Sequence, residues 1–336
     1  MTKLIIQIPC FNEADTLVQT MSGLPKAIPG ISEIMVLIVD DGSSDDTVQV
    51  ALNNGADYVV RHRKNRGLAQ AFMTGITTSL ALGADIVVNT DADHQYPGRY
   101  ISELVQPILT GEADLVIGDR KPGTNVHFSP FKRRLEVIGS WVVRRLSQTD
   151  APDAPSGFRA YSRYTALRMH VYNNYSYTLE TLIQAGKDRM SIAHLPIDTN
   201  PTLRPSRLHK GNANFLLRQG GAIVRSYVLY QPLKSFISLG TPFLLVGAFL
   251  ILRFLYFYFL GDSGIGRHIQ SVSIGGTLSI LGLFLIILGL LGDAIRANRK
   301  MMEEILVQLR EEKHIETKDD NFEINGHPVI VNKKRK

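Results

Sequence analysis

The chain has 336 residues, of which 20% are charged and 44% hydrophobic, and its formal net charge is +6. This length exceeds what one hydrophobic core usually supports, so we expect a domain of about 200 residues with an appended part. The single cysteine, Cys10, excludes an intramolecular disulfide. The positive charge suits an anionic membrane surface or lipid, and no aromatic and basic platform accompanies it to favour nucleic acid.

Strand-length apolar runs alternate with helical patterns through the first 120 residues. The apolar runs are LIIQI at 4–8, VLIVD at 36–40, YVVR at 58–61, DIVVN at 85–89 and DLVIG at 114–118, and the helical patterns are 45–53 and 67–82. This alternation predicts an α/β fold with a mostly parallel sheet and helices on both faces. In such a sheet, ligands bind beyond the carboxyl ends of the strands, so the loops there are the candidate site.

Acidic residues occupy three of these loops. Asp91 and Asp93 follow the fourth apolar run, PCFNE at 9–13 follows the first, and DDGSSDDT at 40–47 follows the second. Two carboxylates at a strand end can bind one divalent cation, which then bridges phosphates. The three loops together predict a site for a nucleotide diphosphate.

Some of these residues also have structural explanations. Glu13 suits the N-terminus of a helix, where the helix dipole favours a carboxylate. Asp45 and Thr47 suit capping of the helix that follows them, and capping is the preferred interpretation for both.

The alternation weakens after residue 125. The basic stretch FKRRLEVIGSWVVRRL at 131–146 predicts an amphipathic helix that lies on a membrane surface or presents an ordinary solvated face. Residues 196–214 are rich in Pro, Asn, Arg and Lys, which predicts a mobile loop near the membrane.

Two long apolar runs predict transmembrane helices. Residues 236–260 and 271–292 are almost free of charge and long enough to cross a bilayer, which needs roughly 20 helical residues. Helices buried in a soluble core are disfavoured because they seldom stay apolar on every face. The predicted division is an α/β domain at 1–211, a juxtamembrane amphipathic helix at 212–235, the two spans with an outer loop at 261–270, and a tail at 293–336.

The flanking charges predict the orientation of these spans. Lys234 precedes the first span and Arg296, Arg299 and Lys300 follow the second, whereas the connecting loop has Arg267. The positive-inside rule then places both termini in the cytoplasm of a plasma-membrane protein. The short apolar stretch at the N-terminus does not have the pattern of a signal peptide.

The C-terminal third offers two further expectations. Residues 293–312 are helical in pattern, and FEINGHPVIV at 322–331 contains an Asn-Gly pair suited to a tight hairpin turn. The small residues of the second span, Gly275, Gly276, Gly282 and Gly289, permit close helix contact and predict a homo-oligomer.

The motifs together resemble those of the inverting family 2 glycosyltransferases of the GT-A fold, and within them the polyisoprenyl-phosphate glycosyltransferases related to dolichyl-phosphate mannose synthase. The resemblance covers residues 3–210. It rests on PCFNE, DDGSSDDT, the segment RKNRGLA at 63–69 with Lys64 left out of the match, TDADHQYP, Gly118-Asp119-Arg120 and DAPSGFRAYSR. Two spans after the α/β domain fit the bacterial members that glucosylate undecaprenyl phosphate.

The resemblance implies roles for individual residues. The donor is expected at Pro9, Phe11, Glu13, Asp41, Asp91 and Gln95, and Mg²⁺ or Mn²⁺ at Asp91, Asp93 and Gln95. The acceptor phosphate is expected at Arg120, Arg133, Arg134 and Arg159, with Asp153 near the sugar, and a mobile loop with Arg204, Arg207 and Lys210 is expected to close over the diphosphate. Pairing with lipid headgroups remains the alternative for the arginines and for the loop, and a structural role remains the alternative for Arg159.

The implied reaction is inverting transfer of a hexose from a nucleotide diphosphate sugar to polyisoprenyl phosphate. Glucose from UDP-glucose is the first choice and mannose from GDP-mannose the alternative. A non-catalytic membrane scaffold that binds nucleotide sugars is the alternative from a different class. A processive polysaccharide synthase is disfavoured because Gln219 is followed by GGAIV, which lacks the Gln-x-x-Arg-Trp pattern.

Overall fold

The computed structural model describes residues 2–121, 144, 149–171, 177–201, 221, 227–228, 230–260, 269–312, 321–324 and 326–332. The chain divides into two compact units. The first combines Met1–Asn214 with Ile305–Lys336, and the second is Phe215–Glu304.

The first unit contains all nine strands and six helices of the described chain, together with the end of the last helix. In chain order these elements are β1 (Lys3–Cys10), α1 (Ala14–Ser22), β2 (Glu33–Asp40), α2 (Thr47–Asn53), β3 (Tyr58–Arg61), α3 (Leu68–Ala81), β4 (Ile86–Asn89), a 3₁₀ turn (Gly98–Tyr100), α4 (Ile101–Leu109), β5 (Leu115–Asp119), β6 (Arg159–Ser162), α5 (Arg163–Arg168), α6 (Thr178–Lys187), β7 (Ile192–Pro196), β8 (Asn321–Ile324) and β9 (His327–Val331). The second unit contains α7 (Pro232–Phe259) and most of α8 (Ile269–Glu312).

The nine strands form one sheet in the order β7-β5-β6-β4-β1-β2-β3-β9-β8. Its centre, β4-β1-β2-β3, is parallel throughout, which confirms the predicted mostly parallel sheet. Strand β6 runs antiparallel between β4 and β5, and β9 runs antiparallel beside β3. The sequence pattern located β1 to β5 but did not predict β6 or β7, nor that the C-terminal hairpin joins this sheet.

Helices cover both faces of the central strands. On one face, Leu4 and Ile6 of β1 pack in a buried cluster with Leu17 of α1 and Leu104 of α4. On the other face, α3 lies so close that a Cβ on Gly75 would approach Val39 to 3.2 Å. These apolar contacts bury most residues of the central strands, as expected for a parallel sheet.

The helices α7 and α8 are long and apolar enough to cross a membrane, with mean hydropathies of 2.1 and 2.5 over their most apolar windows. Large apolar side chains remain exposed along them, including Leu245, Phe249 and Ile280. Two predicted boundaries change. Residues 232–235 belong to α7, and α8 continues to Glu312 without a break after residue 292.

The predicted juxtamembrane helix spans 212–235, and most of its residues before Pro232 lie outside the described part of the chain. Most of the predicted outer loop, 261–270, lies outside it as well.

Glycines allow α7 and α8 to pack closely within the second unit. A Cβ on Gly240 would lie 2.7 Å from the Gly282 carbonyl oxygen, and one on Gly247 would lie 2.6 Å from that of Gly275. Backbones can approach this closely only where side chains are absent. The contacts of Gly275 and Gly282 are therefore within one chain, whereas a Cβ on Gly276 would meet no heavy atom of the described structure within 4 Å, and the homo-oligomer stays a prediction.

The C-terminal segment forms the predicted hairpin. Gly326 lies at the turn with φ of 75°, which a glycine adopts without strain, and β8 pairs antiparallel with β9. The pairing of β9 with β3 was not predicted, and it buries Val329. Asn332 reinforces the junction by donating from Nδ2 to the carbonyls of Leu52 and Ala56, both at 2.9 Å. The predicted tail is therefore partly an edge of the main sheet.

The glycine contacts lead to a testable expectation for Gly247→Leu. The new side chain would collide with the backbone of α8, so we expect a loss of about 1–3 kcal/mol in unfolding free energy, as for overpacked interiors. The measurement is thermal unfolding of the purified full chain. Gly276→Leu is the matched control, because a Cβ there meets no heavy atom of the described structure within 4 Å. Equal stability of the two variants would contradict the packing.

Candidate functional site

Two loops at the carboxyl ends of β1 and β2 are joined by hydrogen bonds. The Asn12 backbone N–H donates to Ser43 Oγ, and the Ser44 N–H donates to Asn12 Oδ1, both at 2.8 Å. The Glu13 N–H donates to Thr47 Oγ1 at 2.9 Å. The two acidic motifs predicted from the sequence therefore form one continuous rim.

The predicted donor residues occupy different depths of this rim. Pro9 is buried within β1, whereas Phe11 is 38% exposed. Glu13 precedes α1, and its Oε2 accepts a hydrogen bond from Thr16 Oγ1 at 3.0 Å, a contact that fits the structural alternative. Asp45 accepts from the Thr47 N–H and hydroxyl at the start of α2, but the N-cap residue is Asp46 and it makes no side-chain capping bond.

Asp41 is buried and organises the loop at residues 62–67. Its Oδ1 accepts from the Arg66 N–H at 2.8 Å and from His62 Nδ1 at 2.7 Å, and its Oδ2 accepts from the Gly67 N–H at 2.8 Å. His62 completes the contact by accepting from the Thr74 hydroxyl at 3.0 Å. Direct donor binding by Asp41 stays a prediction, while its described bonds fix the loop before α3. Sequence reasoning missed His62, because nothing in its local pattern marks it.

Asp91 and Asp93 lie just beyond β4. Asp93 Oδ1 accepts from the Gln95 N–H at 3.0 Å, which shapes the loop. The pKa of Asp91 is raised to about 7, first by burial and then by Asp93 and Glu13, although Arg120 acts in the opposite direction. A raised carboxyl pKa means that the negative charge here lacks sufficient compensation. A bound cation would supply that compensation.

A buried polar network surrounds Asp91. Asn89 Nδ2 donates to the Gly157 carbonyl at 2.9 Å and to Tyr177 Oη at 2.8 Å, and the Tyr177 ring stacks on Phe72 at 3.9 Å. A Cβ on Gly157 would lie 3.1 Å from both Asp91 carboxylate oxygens. Gly157 is thus required for the close approach. The sequence analysis did not single out Asn89 as a site residue. The signal that could have found it is a polar side chain at the end of an apolar strand.

The residues predicted to bind the metal lie in one loop after β4. Carboxylate and amide oxygens are ligands that Mg²⁺ and Mn²⁺ accept, and the uncompensated charge at Asp91 fits a cation. Gln95 follows in the same loop with its side chain largely buried. Among the described residues, His, Cys, Asp and Glu side chains form no group of three or more that could hold a metal. The ligand set Asp91, Asp93 and Gln95 stays a prediction.

Arg120 and Asp153 form a buried pair. Arg120 donates from Nε to Asp153 Oδ2 and from Nη2 to Oδ1, both at 2.7 Å, and its backbone N–H donates to Oδ2 at 3.0 Å. Charge-assisted, two-point pairs of this kind fix both partners in orientation. Both oxygens of Asp153 are therefore engaged, and its contacts are those of a residue that positions Arg120.

Arg159 is fully buried in β6. It donates to the Ser156 carbonyl at 2.8 Å, the Ala154 carbonyl at 2.6 Å and Thr181 Oγ1 at 2.9 Å. These bonds attach the loop before β6 to α6. These contacts fit the structural alternative for Arg159, and acceptor binding by this residue stays a prediction.

The remaining predicted site residues lie outside the described part of the chain. They are Arg133, Arg134, Arg204, Arg207 and Lys210. The predicted amphipathic helix at 131–146 also falls there, apart from Arg144, which is helical.

The fold resembles that of solved sugar-transferring enzymes. Glucosyl-3-phosphoglycerate synthase from Mycobacterium tuberculosis, crystallised with Mn²⁺, UDP and glucosyl-3-phosphoglycerate, matches with a TM-score of 0.53 and 22% identity over 68% of this chain and 80% of that one. Another crystal structure of the same enzyme contains Mg²⁺ and UDP. The strand arrangement is that of the GT-A fold.

Sequence comparisons define the family. Residues 5–174 match the pattern of glycosyl transferase family 2. UDP-N-acetylglucosamine–dolichyl-phosphate N-acetylglucosaminyltransferase from Methanococcus voltae is 28% identical over 57% of this chain and 83% of its own. Undecaprenyl-phosphate mannosyltransferase from Micrococcus luteus is 31% identical over 47% of this chain and 66% of its own. The chain belongs to glycosyltransferase family 2.

The raised pKa of Asp91 leads to an expectation for metal binding. Below about pH 7 a proton competes with the cation for Asp91, so Mn²⁺ affinity should fall by up to about tenfold per pH unit between pH 7 and pH 6. Calorimetric titration of the purified chain with Mn²⁺ measures this. Asp91→Asn should abolish the binding, and the exposed Asp15→Asn should leave it intact. An affinity that is constant from pH 8 to pH 6 would be evidence against this account.

A double-mutant cycle tests the Arg120–Asp153 pair. Arg120→Gln or Asp153→Asn alone leaves a buried charge without its partner, so each should cost about 3–5 kcal/mol, and the double variant should cost much less than the sum. Unfolding free energy and transferase activity are both measured. The partly exposed pair Lys3–Glu33, with N···O of 3.2 Å, is the control and should couple by less than about 1 kcal/mol. Additive losses at Arg120 and Asp153 would refute the positioning role.

Proposed function

We propose that this glycosyltransferase transfers a hexose, with inversion at the anomeric carbon, from a nucleotide diphosphate sugar to a polyisoprenyl phosphate. The observation that carries the proposal is the pairing of opposite charges in one site. Asp91 and Asp93 offer uncompensated negative charge, and Arg120 lies near enough to act on Asp91. A cation-binding carboxylate pair beside an arginine suits a reaction between two phosphate-bearing substrates.

The acceptor class is supported by the relatives and by the apolar helices. Two relatives are named for dolichyl phosphate and undecaprenyl phosphate, respectively. In this chain α7 and α8 are suited to a bilayer, where such lipids reside. A lipid phosphate acceptor accounts for both features, and undecaprenyl phosphate is our first choice.

The residues divide into a donor side and an acceptor side. Pro9, Phe11, Glu13 and Asp41 form the donor rim, and Asp91, Asp93 and Gln95 would hold Mg²⁺ or Mn²⁺, which supplies positive charge for the leaving diphosphate. On the other side, Asp153 orients Arg120 toward the acceptor phosphate. That phosphate is already ionised near neutral pH, so the reaction does not require a strong general base. The engaged oxygens of Asp153 suit such a mechanism.

Two sugar donors are proposed as alternatives. Glucose from UDP-glucose follows from the likeness of the two-span architecture to bacterial glucosylating enzymes. Mannose from GDP-mannose is supported equally, because relatives from Micrococcus luteus and Pyrococcus furiosus are named as mannosyltransferases.

The C-terminal hairpin supports a topology with an even number of spans. Strand β9 follows α7 and α8 in the chain yet pairs with β3 of the first unit. If both helices cross the bilayer, the segment after them returns to the side that holds the sheet. Together with the positive-inside charges, this supports a plasma-membrane protein with its catalytic domain and both termini in the cytoplasm.

A donor screen tests the proposed function. The purified full chain is incubated with Mn²⁺, undecaprenyl phosphate and labelled UDP-glucose, GDP-mannose or UDP-N-acetylglucosamine. We expect label in the lipid fraction from one donor in preference to the others. Asp91→Asn should lower the rate of label transfer by at least about 100-fold, because one buried electrostatic contact commonly contributes that much. Asp15→Asn should retain activity.

Two outcomes would count against the proposal. No lipid-linked label from any donor would remove the enzymatic claim for this acceptor class. Binding of nucleotide sugar without transfer, unchanged by Asp91→Asn, would favour the non-catalytic scaffold instead.

A further inference from the structure

A cavity lies in the first unit, and its lining does not include the Asp91 loop. Its volume is about 350 Å³, within the range of roughly 300–1,000 Å³ that small-ligand sites occupy. Four parts of the chain contribute to its walls, namely α3 with the turn before it, the segment after α5, the end of α8, and β9. None of the predicted metal or donor residues lines it.

The lining of this cavity carries two arginines and two histidine rings. Arg66 and Arg310 bring positive charge, His170 and His327 bring ring nitrogens, and the described lining includes neither Asp nor Glu. Such a lining suits an anion.

Hydrogen bonds hold the cationic groups in place. Arg310 Nη1 donates to the carbonyls of Leu167 at 2.8 Å and Met169 at 3.0 Å, and Arg66 Nη1 donates to His327 Nε2 at 2.7 Å. These bonds hold the half-buried Arg310 and the exposed Arg66 at the cavity.

His327 offers a hydrogen-bond donor in this environment. Since Arg66 can only donate, Nε2 of His327 accepts and Nδ1 carries the proton of the neutral ring. That Nδ1 is shielded from solvent and has no hydrogen-bond partner within the described structure.

The potential around His327 is positive. The pKa of His327 is lowered by burial and then by His62, Arg66 and Arg63, with Glu323 acting weakly in the opposite direction. The His62 ring lies 4.5 Å away, centroid to centroid. His62, Arg66 and Arg63 would favour a nearby anion, whereas burial, the first cause, disfavours a charge of either sign.

We propose that this cavity is a second anion site that binds a phosphate group, carried either by a free phosphate compound or by a lipid headgroup. Arg66 connects it to the donor rim, because its backbone N–H is bonded to Asp41 while its side chain lines the cavity. The proposal is independent of the sugar and of the acceptor lipid.

Charge reversal at Thr77 tests the site. Thr77 lines the cavity on α3 and is half-buried, and Thr77→Glu places a carboxylate among the cations, whereas Thr77→Gln is the neutral control of the same size. The full chain is reconstituted in phosphatidylcholine nanodiscs with a chelator, and inorganic phosphate is titrated by calorimetry. We expect Thr77→Glu to weaken binding by about tenfold or more, and Thr77→Gln and Asp91→Asn to bind as the wild type does.

A competition experiment identifies which compound carries the phosphate, and a second charge-reversal variant repeats the test at another position. Competition by nanodiscs that contain phosphatidic acid would assign the site to headgroups, and its absence would assign it to free phosphate compounds. Gln70→Glu repeats the charge reversal from a neighbouring position if Thr77→Glu fails to fold. The proposal is overturned if the wild type binds no phosphate, if both charge-reversal variants bind unchanged, or if Asp91→Asn alone loses binding.

Discussion

The parallel pairing of β1 with β2 and β4 is the constraint on which the site depends. All three strands end at the same edge of the sheet, so the loops that follow them converge. Segments separated by up to about 80 residues, Glu13, Asp41 and Asp91 among them, become one rim. Because apolar helices bury both faces of these strands, the rim is a rigid support rather than a set of independent loops.

Charge is the second determinant of the site. The carboxylates near β4 lie close enough for burial and repulsion to raise the pKa of Asp91, and this makes the loop receptive to a cation. The nearby Arg120, by contrast, is paired with Asp153, which neutralises and orients it through two short hydrogen bonds. One part of the site therefore holds unpaired negative charge while the other holds a positioned cation. This asymmetry suits a reaction in which one phosphate leaves and another attacks.

The C-terminal segment ties the apolar helices to the catalytic unit. After α8 the chain returns to add β9 beside β3, and Val329 and Asn332 fix that junction. This edge strand also supplies His327 to the cationic cavity, where Arg66 meets it. A part of the chain remote in sequence thus completes a surface next to the loop that Asp41 organises, and covers a sheet edge that would otherwise be open to pairing.

Sequence alone determined the strands β1 to β5, the acidic loops, the two long apolar helices and the C-terminal hairpin. These features depend on local pattern, since burial imposes its periodicity on neighbouring residues. Tertiary structure decided what depends on contacts between distant residues. It paired Arg120 with Asp153, buried Arg159 within β6, engaged Asp41 with His62, and turned Gly275 and Gly282 of α8 toward α7. A side chain's type shows which partners it can bind, but only the packed fold determines which partner it meets.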